Sequence, residues 1–136
     1  MPEITVKAEV GKLPDIQEFV RSVFDQAEVS KQCWMEIEIS VEEIFVNIAS
    51  YAYGAEGGMA TIRCEVTGGE PVRFMVQFED AGKAFNPLEK EEADITLSAK
   101  ERPIGGLGIF MVRKYMNDVI YERKEGHNIL SIFKNV

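Results

Sequence analysis

Residues 80–108, DAGKAFNPLEKEEADITLSAKERPIGGLG, constrain this chain more than any other stretch. Two glycine-bearing signals bracket a polar, acidic segment. The first is Asp80-Ala81-Gly82 followed by Phe85-Asn86-Pro87, directly after the apolar run 72–78. The second, Gly105-Gly106-Leu107-Gly108, opens a segment of helical period. A Gly-rich turn entering a helix offers unpaired backbone N–H groups and the positive end of the helix dipole to an anion, most simply a phosphate. Alone, GGLG marks only a turn. Its pairing with D-x-G-x-x-F-N-P, about twenty residues upstream, strengthens the phosphate reading.

The rest of the chain reads as short alternating strands around three helical segments. Residues 3–10 alternate and form a first strand. Gly11 to Pro14 turn the chain, with Pro14 suited to a first helical position. Ile16, Phe19, Val20, Val23 and Phe24 then recur at three and four, giving an amphipathic helix to about Glu28. Ser30 is the expected N-cap of a second helix from Lys31 to about Tyr53. Met59–Thr67 and Val72–Glu79 make a hairpin joined by Gly68-Gly69-Glu70-Pro71. A third helix ends near Asn117, and segments 118–123 and 128–134 form a last hairpin around Lys124-Glu125-Gly126-His127. With no repeat and no linker, residues 1–136 are expected to be one domain. The fold expected is α/β: a two-layer sandwich with a mixed, mostly antiparallel sheet and three helices on one face.

The second helix is apolar nearly all round, which makes its polar residues informative, because burying an unpaired carboxylate or amide is costly. Glu43 and Asn47 are four apart and share one face, with Ser40 and Glu36 along roughly the same stripe. Asn47 is either an amide bonded to a neighbour or an oxygen ligand for Mg²⁺, which keeps several waters and takes few protein ligands. Glu43 is a candidate general base, with Glu42 as its rival in sequence. Asp80, ending a strand before a glycine, is either a turn-forming residue or an acceptor for an exocyclic amine. Lys100 and Arg102 are the basic groups best placed to reach a terminal phosphate, or solvated surface charges.

These motifs, in this order, resemble the gyrase, chaperone, histidine-kinase and MutL ATPase superfamily, the Bergerat fold. Glu43-Ile44-Phe45-Val46-Asn47 is similar to its E-x-x-x-N helix, and Asp80–Pro87 and Gly105–Gly108 to its two glycine boxes. The resemblance runs from about residue 30 onward. Among members, the short chain is most similar to the bacterial anti-sigma-factor serine/threonine kinases. The resemblance implies ATP and Mg²⁺ as cofactors, Glu43 as catalytic base and Asn47 as the metal ligand. It assigns Asp80 and Gly82 to the adenine, and Gly105, Gly106, Leu107 and Gly108 with Lys100 or Arg102 to the phosphates. Residues 88–104 become an ATP lid. It also implies a homodimer, a STAS-type anti-anti-sigma partner as phosphate acceptor, and a sigma factor as the second partner. The alternative is an ATP-gated binding module without efficient transfer. Departures from the family pattern are Tyr51 where a His is common, Pro103-Ile104 where a basic residue is common, and His127-Asn128 after Gly126 where a Thr is common.

Composition narrows the partners further. A formal charge of −8 argues against duplex DNA or an anionic membrane, which need a basic face. It does not argue against a nucleotide, whose phosphates meet local N–H groups and a metal. No apolar run approaches the roughly 20 residues of a membrane span. The N-terminus carries no basic segment followed by an apolar one, so the cytoplasm is expected. Cys33 and Cys64, far apart and in apolar surroundings, are expected to be reduced core thiols.

Overall fold

Period-two alternation turns five segments into one sheet in the computed structural model, which describes residues 1–89 and 106–136. The strands are β1 (Glu3–Lys7), β2 (Met59–Thr67), β3 (Arg73–Asp80), β4 (Asp118–Lys124) and β5 (His127–Asn135), in the order β1-β2-β3-β5-β4. All four pairings are antiparallel, so the mostly antiparallel sheet expected from sequence has no parallel pair among the described residues. The register stacks Ile4, Ile62, Phe78, Leu130 and Tyr121 in one row across all five strands. That row belongs to the face that packs against the helices.

Among the described residues three α-helices cover that face: α1 (Leu13–Gln26), α2 (Trp34–Tyr51) and α3 (Gly106–Tyr115). Ile16, Val20 and Phe24 of α1 follow the three-and-four spacing and are fully buried. With Ile37, Val41, Ile44 and Phe45 of α2, and Ile109 and Val112 of α3, they form one cluster with the sheet's apolar face. The opposite face is polar, and Arg63 there bridges Glu3 at 3.0 Å and Glu79 at 2.7 Å. At 0 % exposure Cys64 belongs to the core, where burial and then the nearby Glu65 push its thiol up to about 12.

The second helix begins later than the sequence suggested. Ser30 does not cap it; its hydroxyl accepts the Gln32 N–H at 3.4 Å inside a local turn. The Lys31 ammonium instead donates to the Phe24 and Ala27 carbonyls, satisfying the C-terminal end of α1. Helical geometry therefore starts only at Trp34. The first strand likewise stops at Lys7, because Val10–Lys12 form a 3₁₀ turn into α1.

Candidate functional site

The sheet order brings the C-terminal end of β3 beside the N-terminal end of β5, with the last turns of α2 above them. A pocket opens there, lined by Asn47 and Tyr51 of α2, Asp80, Phe85, Tyr121 and Asn128, over an apolar floor that includes Ile44, Phe78 and Leu130. Ile109, in the first turn of α3, completes the wall. Mostly apolar walls with a few convergent polar groups suit a flat heteroaromatic ring with a polar edge.

Asp80, at 6 % exposure, is as deeply buried as Asn128 beside it. Its Oδ1 accepts the Gly82 N–H at 2.9 Å, closing a tight turn after β3, and Nδ2 of Asn128 at 3.0 Å. Asn128 stands directly opposite Asp80 in the β3–β5 register. Oδ2 of Asp80 takes no hydrogen bond among the described residues.

The loop after Asp80 is held from two sides. From α2, the Ala52 carbonyl accepts the Lys83 N–H at 3.0 Å. The Tyr53 hydroxyl accepts the Ala81 N–H at 2.7 Å and donates to the Met59 carbonyl at 2.6 Å. From the last hairpin, Nη1 of Arg123 donates to the Gly82 carbonyl at 2.8 Å. Gly82 is required by this closeness: a Cβ there would collide with the backbone carbonyl of Ala52. The approach that the missing side chain permits is thus to the end of α2.

On α2, the stripe seen in sequence divides into two parts. Ser40 donates to the Glu36 carbonyl one turn back at 2.8 Å, and the Glu36 carboxylate pairs with Lys134 at 3.2 Å. Those two residues serve the helix and its docking on β5. Asn47 lines the pocket, while Glu43, one turn earlier, lies half-buried outside the lining. Burial, and secondarily the Glu42 carboxylate, raises the Glu43 pKa above the ordinary carboxylate value. Glu42 is exposed.

Gly106, Leu107 and Gly108 form the first turn of α3, so the glycine-rich signal does open a helix. Lys100, Arg102, Gly105 and all but residues 88 and 89 of the expected lid lie outside the described residues. The chain entering that segment is tied down: Asn86 Oδ1 accepts the Leu88 N–H at 2.9 Å, and Arg113 of α3 donates to the Leu88 carbonyl at 2.7 Å. Among the described residues no group of three or more His, Cys, Asp or Glu side chains is gathered to hold a metal. Tyr121 and Tyr53 carried no signal in the sequence: Tyr121 acts on Asn128 across the last hairpin, and Tyr53 on Ala81, 28 residues on.

Known proteins share the fold of this chain. A family model described as histidine kinase-like ATPase domain matches residues 6–134. Among curated proteins, none matches the sequence. A solved histidine kinase domain, from the blue-light-activated histidine kinase of Erythrobacter litoralis EL346, superposes with a TM-score of 0.58 at 18% identity. The match covers 96% of this chain and 61% of that one, and it shows a shared fold.

Proposed function

Because the chain belongs to the histidine kinase-like ATPase domain family, we propose that its pocket binds ATP with Mg²⁺ and that it transfers the γ-phosphoryl group to a serine or threonine of a partner protein. The observation that carries the reading is Asp80. Its carboxylate is buried in the pocket lining, with Oδ1 engaged by two N–H groups and Oδ2 without a hydrogen bond among the described residues. An adenine 6-amino group supplies the donor such an oxygen requires, and a guanine 6-oxo group does not. Tyr51 and Phe85 lie on the walls, where they can flank the base.

Asn47 suits Mg²⁺ because it offers one neutral oxygen at the pocket wall, and a hard cation bound through triphosphate oxygens and waters needs little more. When bound, the ion neutralises charge on the phosphates. Glu43 is the proposed base, and its raised pKa suits a group that must accept a proton near neutral pH. In the transfer step the acceptor hydroxyl oxygen bonds to the γ-phosphorus, the bond from that phosphorus to the β–γ bridging oxygen breaks, and ADP leaves. The hydroxyl proton passes to Glu43. The resemblance to anti-sigma kinases supports a STAS-type acceptor, a sigma factor as second partner, a homodimer and the cytoplasm as the place of action. No helix among the described residues is long and apolar enough to cross a membrane.

One observation favours the ATP-gated binding module instead: Glu43 lies outside the residues that line the pocket. Incubation with Mg²⁺ and γ-labelled ATP, alongside STAS-domain proteins of the same genome, separates the two. Transfer is expected in the wild type. Asn47→Ala should weaken Mg²⁺-ATP binding, whereas Glu43→Gln should leave binding nearly unchanged and slow transfer by roughly 10²–10⁴-fold. Tight ATP binding with no transfer to any partner would establish the binding module.

A further inference from the structure

Resting on the adenine-nucleotide reading above, we propose that Asn128 and Tyr121 are the positioning residues that fix which purine the pocket accepts, by setting the hydrogen-bonding polarity of Asp80. A carboxamide has two donors and an oxygen with two lone pairs, and at Asn128 all four are committed. Its Oδ1 accepts the Tyr121 hydroxyl at 2.6 Å and the Phe85 N–H at 3.3 Å. Its Nδ2 donates to Asp80 Oδ1 at 3.0 Å and to the Lys83 carbonyl at 2.8 Å.

Backbone chemistry dictates this orientation. The Phe85 N–H can only donate and the Lys83 carbonyl can only accept. A flipped amide would set oxygen against the Lys83 carbonyl and the Asp80 carboxylate, and N–H against N–H at Phe85. Tyr121, whose hydroxyl can turn either way, is thereby held as a donor. Polarity runs from the backbone of residues 83–85, through Asn128, to Asp80. Together with the Gly82 N–H, Asn128 holds Oδ1 as an acceptor and fixes the carboxylate plane. Oδ2 is then presented to the pocket as an acceptor as well. A 6-amino purine satisfies it, and a 6-oxo purine sets acceptor against acceptor.

The test is calorimetry of ADP and IDP, which differ at position 6 of the base, on the full chain and two variants, with thermal melts as a check on folding. Wild type should prefer ADP by about tenfold or more, the range for a hydrogen bond to a charged group. Tyr121→Phe keeps the ring and removes one anchor of the amide, so the preference should fall by about threefold. Asn128→Asp places a carboxylate oxygen against Asp80, and the two acids must share a proton. That proton sits at Oδ1, so Oδ2 loses most of its negative charge and becomes a weaker acceptor, and the ADP:IDP ratio should fall by about tenfold, toward one. If both variants keep the wild-type ratio, or lose ADP and IDP affinity in equal proportion, Asn128 and Tyr121 are scaffold only and the inference is overturned while the nucleotide reading stands. Should Asn128→Asp fail to fold, Tyr121→Phe decides alone. A wild type that binds neither nucleotide would sink both readings together.

Discussion

Glu43 occupies a position that costs the fold something. Burial and the adjacent Glu42 raise its pKa, so the folded state holds the proton more tightly than the unfolded chain does. Below the ordinary carboxylate value both states are protonated and the penalty is absent. It grows as pH rises through that value and is complete above the raised folded pKa. Glu43→Gln removes the charge, so the variant should melt at a higher temperature than wild type at about pH 8 and at nearly the same temperature at about pH 4. Equal melting at both pH values would show that the carboxylate carries no folding penalty. Such a trade is expected of a group kept for chemistry rather than for packing.

At the scale of elements, the join between the end of α2 and the loop after β3 matters most. Ala52 and Tyr53 bind that loop through its backbone, and Gly82 leaves no space for a side chain. Gly82→Ala should therefore cost about 1–3 kcal/mol, the usual range for overpacking, and should weaken nucleotide binding as well, because the displaced loop carries the Asp80 turn. Denaturant unfolding and calorimetry read the two effects. An alanine variant as stable as wild type would mean that the loop shifts freely. This join also marks how far sequence reading reaches. Glu43, Asn47 and Asp80 were visible because helical spacing and a strand-ending D-x-G are local patterns. The full role of Asn128 was not, because it depends on the pairing of residue 128 with residue 80 across the sheet. The late start of α2 was hidden for a similar reason: Lys31 is drawn to the carbonyls at the end of α1 instead of opening a new helix.

Across the whole molecule, one aromatic group ties the layers together. Phe24 of α1 packs at 5.3 Å from the Trp34 ring of α2 and edge-on at 5.1 Å from Phe74 of β3. Phe24→Ala should destabilise the fold by about 3–5 kcal/mol, a large share of the 5–15 kcal/mol typical of a domain. Chemical denaturation measures it, and a loss under about 1 kcal/mol would show that the neighbouring side chains refill the space. The two-layer class was legible because the periods of two and of three to four alternate cleanly along the chain. The strand order was not, since nothing local tells β5 to enter between β3 and β4.

That strand order has a consequence for synthesis on the ribosome. Of the five strands, the one that joins β3 to β4 is translated last, and it carries Asn128 and Leu130 of the pocket. A nascent chain ending before residue 127 therefore lacks a central strand, and the β3 edge that β5 will cover is open to water. Neither the sheet nor the pocket can close until His127–Asn135 has cleared the exit tunnel. The pocket thus lacks Asn128 and Leu130 until the last strand has entered the sheet.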